Sequence, residues 1–146
     1  MKMTTLRESD MDYSQEIFSL LTDVYNQSPW TLQQIERDMK LAHTEYLYLI
    51  ENQKLLGFLA VQDLAGELEI TQIAVRKDYQ GQGLANQLMN TLSSRSEPVF
   101  LEVRESNKAA RGLYEKFGFK KVGLRKKYYQ NPVEDAVLMA REGQLG

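Results

Sequence analysis

The sequence predicts a mixed α/β (α+β) fold, with a central, mostly antiparallel sheet of about seven strands flanked by about four helices. Two observations carry this. Three strand-like runs follow one another before the first glycine-marked strand-to-helix passage, which a regularly alternating parallel sheet does not allow. Helical and strand periodicities then interleave to give the order βααβββαβαββ.

The elements follow in turn. "MTTLRE" is a short first strand. "DMDYSQEIFSLLTDVYN" spaces Ile17, Leu20, Leu21 and Val24 as one helical face. "SPW" interrupts, because the residue before Pro29 is pushed out of the helical region. Thr31 is placed to cap a second helix whose inner face is Leu32, Ile35 and Met39. "YLYLIE" and "LLGFLAVQDL" flank Asn52-Gln53-Lys54, a hairpin signal. Gly66-Glu67 turns the chain into "LEITQIAV". A helix is expected from about Gly83 to Ser94, with Ala85, Leu88, Met89 and Leu92 inward. "VFLEV" is the next strand. "NKAARGLYEKFGF" is a helix stopped at Gly118. "KKVGLRKKYY" and "EDAVLMA" close the sheet.

Composition narrows the chemistry. The 146 residues suit one domain and bury a core without staples. A net charge of −2 argues against general nucleic-acid binding. The basic run Arg125-Lys126-Lys127 reads as a solvated strand end. With no cysteine there is no disulfide, no thiolate metal site and no cysteine nucleophile. His43 is the only histidine, sits in a polar connection and reads as surface. No metal site is expected. "MKMTTLRESD" has no apolar leader-like core and no run reaches spanning length, so a soluble, cytoplasmic protein is expected.

The stretch "IAVRKDYQGQGLANQLMNTL" holds the first functional signal. It passes from strand to helix through Gln80-Gly81-Gln82-Gly83. It is not a P-loop, because no Gly-Lys-Ser/Thr follows, and it lacks the third glycine of a dinucleotide fingerprint. A helix start leaves amide N–H groups unpaired and carries partial positive charge. Glycines let a ligand approach the backbone. Together they suit a phosphate or pyrophosphate. If the preceding strand splays from its neighbour, Ile73, Ala74 and Val75 offer backbone groups as well. An elongated ligand with amides and a pyrophosphate, such as coenzyme A, fits both features.

The second signal is "VFLEVRESNKAARGLY". Val99, Leu101 and Val103 share one strand face; Phe100 and Glu102 share the other. Both faces look apolar apart from Glu102, so its carboxylate is expected in a place that disfavours charge, a mark of functional groups. The bland alternative is a strand-end carboxylate paired with Arg104. Tyr114, on the next helix, borders the stripe of Leu113 and Phe117 and says little alone.

These residues together resemble the GNAT superfamily of acetyl-CoA-dependent N-acetyltransferases. Within it, the chain is similar to the ribosomal-protein-alanine N-acetyltransferases of the RimI type. The family loop is Gln/Arg-x-x-Gly-x-Gly/Ala, and here it reads Gln80-Gly81-Gln82-Gly83-Leu84-Ala85. "IAV", "LEVRESNKAARGLYEKFGF", "YY…EDAVLMA" and "SPWT" extend the likeness over nearly the whole chain, implying one GNAT domain over residues 1–146. The resemblance implies Glu102 as general base and Tyr114 as general acid, with Glu69 as the runner-up base. It implies cofactor contacts from Ile73, Ala74 and Val75, from Gly81, Gln82, Gly83, Leu84, Ala85 and Asn86, and from Asn107. It implies acetyl-CoA as donor, a ribosomal protein N-terminus as acceptor, and no direct nucleic-acid or membrane partner. Two alternatives stay open: a small-amine or lysine acetyltransferase, and a non-catalytic acyl-CoA sensor. An α-amine has a pKa of about 7.7–8.0 and a lysine about 10.4, so a glutamate deprotonates the former more easily.

Overall fold

The computed structural model describes residues 4–7 and 12–143. The elements are β1 (Thr4–Arg7), α1 (Ser14–Tyr25), α2 (Leu32–Met39), β2 (Thr44–Glu51), β3 (Lys54–Asp63), β4 (Leu68–Val75), α3 (Leu84–Asn90), β5 (Val99–Arg104), α4 (Lys108–Lys116), β6 (Lys120–Tyr129) and β7 (Glu134–Arg141). Their order is the expected one. Met3 and Glu8 of the first strand reading, and Asp10 and Met11 of the first helix reading, lie outside the described residues.

Local signals explain most boundaries. Thr31 and Gln34 form a reciprocal capping box at α2. Asp38 of α2 accepts a hydrogen bond from Tyr46 of β2, which ties helix to sheet. Asn52 and Gln53 both have positive φ, and this two-residue turn matches the twist of the β2–β3 hairpin. Gly118, at φ +91°, follows the last residues of α4 as a left-handed stop. The helix expected to reach Ser94 ends at Asn90, and Thr91–Ser94 tighten into a 3₁₀ turn. Its buried stripe is Leu84, Leu88, Met89 and Leu92, with Ala85 only half-buried.

The seven strands form one sheet in the order β1-β2-β3-β4-β5-β7-β6. Every pairing is antiparallel except β4–β5. Each face carries its own core. Ile17, Leu20, Leu21 and Ile35 of α1 and α2 pack on Tyr48, Phe58 and Ala74. Leu84, Leu88, Met89 and Tyr114 of α3 and α4 pack on Val99, Leu101, Val103 and Val137. Each fully buried Leu contributes roughly 1.5–3 kcal/mol.

One expectation fails on β5. Its second face is not fully covered: Phe100, Glu102 and Arg104 are only half-buried. The reason is the reach of α1 and α2, which lie over β2, β3 and β4 and leave the β5–β7–β6 half open.

Candidate active site

The site begins where the sheet comes apart. β4 and β5 pair only at Leu68↔Val99 and Glu69↔Phe100. Beyond that, β4 continues to Val75 and β5 to Arg104 with no pairing between them. A bulge decides which amides face the gap. Ala60 pairs with Gln72 but Val61 pairs with Ile70, so Thr71 is an extra residue. Before the bulge, the Leu68 N–H points to the β5 side and donates to Pro98 O at 2.9 Å. After it, the Arg76 N–H points to β3 and donates to Leu56 O at 2.8 Å. Residues 68 and 76 would face the same edge in a regular strand. The bulge therefore turns the amides of Ile73 and Val75 toward the gap and those of Ala74 toward β3. Of the three residues expected to offer backbone groups, Ile73 and Val75 turn their amides to the gap, and Ala74 is committed to the sheet.

At the end of β4 the glycine loop follows. Gly81 and Gly83 have φ of +80° and +82°, and a Cβ on either would meet no atom within 4 Å. No side chain caps α3, so its first amides, beginning at Leu84, are left for something else. Gln80 Nε2 donates to Val75 O at 2.9 Å and fastens the loop to the strand. A cleft of about 260 Å³ is lined here by Val75, Tyr79, Gln80, Gly81, Gly83, Leu84, Ala85 and Asn86. Gln82 is exposed on the same loop. Tyr79 and Gln80 were not singled out as binding residues from the sequence; their signal was adjacency to the glycines. Asn107 caps α4, its Oδ1 accepting from Ala110 N at 3.2 Å.

The carboxylates lie on the other face of the sheet from the loop helix. Leu68 and Ile70 join the α3–α4 core, as do Leu101 and Val103, so Glu69 and Glu102 point to the α1–α2 face. The Glu102 side chain is 14% exposed, and its Oε1 lies 3.5 Å from Arg125 Nη2. Its Oε2 is buried without a hydrogen-bond partner. The expected alternative pairing with Arg104 does not occur, because Arg104 turns to Glu134, 3.2 Å away. Glu69 is held above the usual carboxylate range, first by burial and then by the charge of Glu102, with Arg125 opposing.

Several tyrosines are influenced by one another and by Glu102 at this end of the sheet. Tyr114 is 6% exposed and packs against Phe119. Burial pushes its phenol well above the ordinary value, with further push from Tyr25 and Tyr129, so it keeps its proton at neutral pH. The Tyr129 phenol is pushed up to about 12, mainly by burial and then by Glu102. Tyr128 is also raised, first by the charge of Glu102. The β6–β7 turn is held by Arg104, which donates to Gln130 O at 3.0 Å and Pro132 O at 3.1 Å, with its guanidinium 4.5 Å from the Tyr129 ring centre. Arg125, Tyr128 and Tyr129 are neighbours of Glu102 that sequence spacing did not expose, since they meet it only through the sheet. Among the described residues no cluster of His, Asp or Glu is arranged to hold a metal ion, and His43 is exposed. No described helix is long and apolar enough to cross a membrane.

A splayed parallel pair and a glycine loop feeding a helix, with a carboxylate on the splayed strand, define an acyl-CoA-dependent transferase architecture. Residues 10–132 match the acetyltransferase (GNAT) domain family, and the chain belongs to it. It is 38% identical over 120 residues to the [ribosomal protein bS18]-alanine N-acetyltransferase of Haemophilus influenzae, covering 77% of this chain and 81% of that one. It is 34% identical over 120 residues to the N-alpha-acetyltransferase RimI of Mycobacterium tuberculosis, covering 78% and 76%. The crystal structure of the Escherichia coli ribosomal-protein-S18-alanine N-acetyltransferase superposes with a TM-score of 0.87 at 28% identity, covering 99% of this chain and 96% of that one. A GNAT acetyltransferase of Elizabethkingia anophelis with acetyl-CoA bound shares the fold, with a TM-score of 0.74 at 20% identity and coverage of 96% and 97%.

Proposed function

We propose that the chain, as a single acetyltransferase domain over residues 1–146, moves the acetyl group of acetyl-CoA to a protein N-terminal α-amine in the cytoplasm. The acceptor is the N-terminal alanine of a small-subunit ribosomal protein. One observation carries the reading: β4 and β5 part after Glu69↔Phe100, with the loop cleft following the free end of β4 and Glu102 on β5 beyond the last pair. Tyr129 links the two proton carriers: its phenol is raised by burial and then by Glu102, and it adds to the rise that burial gives the Tyr114 phenol. The relatives named for alanine N-acetylation of bS18 support the choice of acceptor.

In this reading the first amides of α3 and the loop of Gly81, Gln82 and Gly83 hold the pyrophosphate. Leu84, Ala85 and Asn86 continue that cradle, Asn107 flanks the cofactor, and Ile73 and Val75 pair with the pantetheine amides. Glu102 accepts the proton of the attacking amine, directly or through one water. The amine nitrogen bonds to the thioester carbonyl carbon, and the Val75 N–H polarises the carbonyl oxygen. The carbon–sulfur bond breaks, and Tyr114 gives its proton to the departing thiolate. A positioned acid or base contributes about 10²–10⁴ in rate, and holding the two reactants together supplies much of the remainder.

The test is intact mass spectrometry of peptides incubated with the protein and acetyl-CoA. A peptide beginning with alanine gains one acetyl group. The same peptide with a blocked N-terminus and a free lysine does not. Equal or faster lysine modification overturns the acceptor assignment in favour of a lysine or small-amine enzyme.

A further inference from the structure

Glu102 and Glu69 make an anionic pair on the face where an acceptor arrives, and a third charge already sits there. Arg125 places Nη2 3.5 Å from Glu102 Oε1 and its guanidinium carbon 5.4 Å from the centre of the Tyr128 ring. Its side chain is 55% exposed, while that of Glu102 is 14% exposed. The contact is too long for a good hydrogen bond, and among the described residues no hydrogen bond fastens Arg125 to the backbone, unlike Arg104 and Arg141, whose guanidiniums are fixed by carbonyls. Arg125 is thus a cation attracted to the pair, resting on an aromatic ring and free to swing out.

We infer that Arg125 is a displaceable counter-ion that occupies the place of the acceptor's ammonium, making it a specificity-determining residue for cationic amines. The inference rests on the proposed amine acceptor at Glu102. Two neighbouring carboxylates with no cation beside them would cost desolvation and mutual repulsion; Arg125 offsets both. An arriving α-ammonium replaces one cation by another, so the charge of the pocket is conserved on exchange. A neutral or acidic N-terminus cannot make that exchange. After transfer the product is a neutral amide, Arg125 returns to Glu102, and the amide has no charge with which to compete.

The test compares wild type, Arg125→Gln and Arg125→Lys. Calorimetry measures an alanine-initiated peptide, and its N-acetylated form, binding to the protein saturated with CoA at pH 7. Arg125→Gln removes the competing cation, so the free-amine peptide tightens about two- to fivefold, the range of a partly exposed ion pair, while the acetylated peptide is unchanged. Salt weakens free-amine binding more steeply in Arg125→Gln than in wild type, because the pocket is then more negative. Arg125→Lys behaves as wild type. Weaker or equal binding of the amine peptide by Arg125→Gln, or a parallel change for both peptides, overturns the inference. A wild-type protein that binds but never acetylates the peptide overturns the acceptor reading instead.

Discussion

Gly83→Asp separates folding from cofactor binding. Gly83 sits at φ +82° before α3, and a Cβ there meets nothing within 4 Å. The folding cost is therefore backbone strain alone, about 1–2 kcal/mol for a left-handed L-residue and toward the low end for Asp. Against a typical stability of about 5–15 kcal/mol the variant stays folded. The effect on binding is larger. The carboxylate enters the open space over the loop, where the pyrophosphate is proposed to lie. Two unit charges 4 Å apart repel by about 4 kcal/mol at an effective dielectric constant of about 20. Screening by water reduces this, so a loss of at least about 1.4 kcal/mol, tenfold in Kd, is the floor. Gly83→Asn has the same shape without the charge and should fall between wild type and Asp. Calorimetric titration with acetyl-CoA gives the affinities, and a thermal melt without ligand reports folding. A folded Gly83→Asp with wild-type affinity would refute the assignment of the loop.

Glu102→Gln should lower kcat/KM by about 10²–10⁴, with partial recovery at higher pH as free amine accumulates. Tyr114→Phe should show no such recovery, because added hydroxide supplies no acid; steady-state rates from pH 6 to 9 distinguish the two, and acetyl-CoA affinity is retained in both. If Glu102→Gln is near wild type while Glu69→Gln is inactive, the base has been misassigned. Glu69→Gln should also raise Tm at pH 7.5. The folded carboxyl titrates above its unfolded value, so stability is lost as pH climbs through that window, and the gain from removing the charge should vanish by about pH 3.5, where both states are protonated. A constant Tm difference across this range would contradict the burial of Glu69.

Much of this was legible because local chemistry decides it. Thr31 with Gln34, Asn52-Gln53 and Gly118 are boundary signals that the chain obeys. The glycine loop was equally plain, since its meaning comes from the strand before it and the helix after. What escaped was set by register between distant segments. Thr71 carries no local mark of a bulge, yet it decides that Ile73 and Val75, and not Ala74, face the gap. Arg125 read as part of a solvated basic run and is indeed exposed; its approach to Glu102 was hidden, because it depends on β7 lying between β5 and β6. The half-open face of β5 was hidden for the same reason: an apolar run does not say how far a helix layer extends.

The two carboxylates stand differently to the gap: Glu69 lies at its closed end, in the last β4–β5 pair opposite Phe100, and Glu102 lies on β5 beyond that pair. Arg104 is two residues beyond Glu102 on the same strand and grips the β6–β7 turn, while β7 is zipped to β5 from Val99 to Arg104. Glu102, Tyr129 and the turn are therefore braced together on one half of the sheet. A proton acceptor at Glu102 is thus aimed by β7 and the turn behind it, whereas one at Glu69 would take its aim from the β4–β5 pair itself.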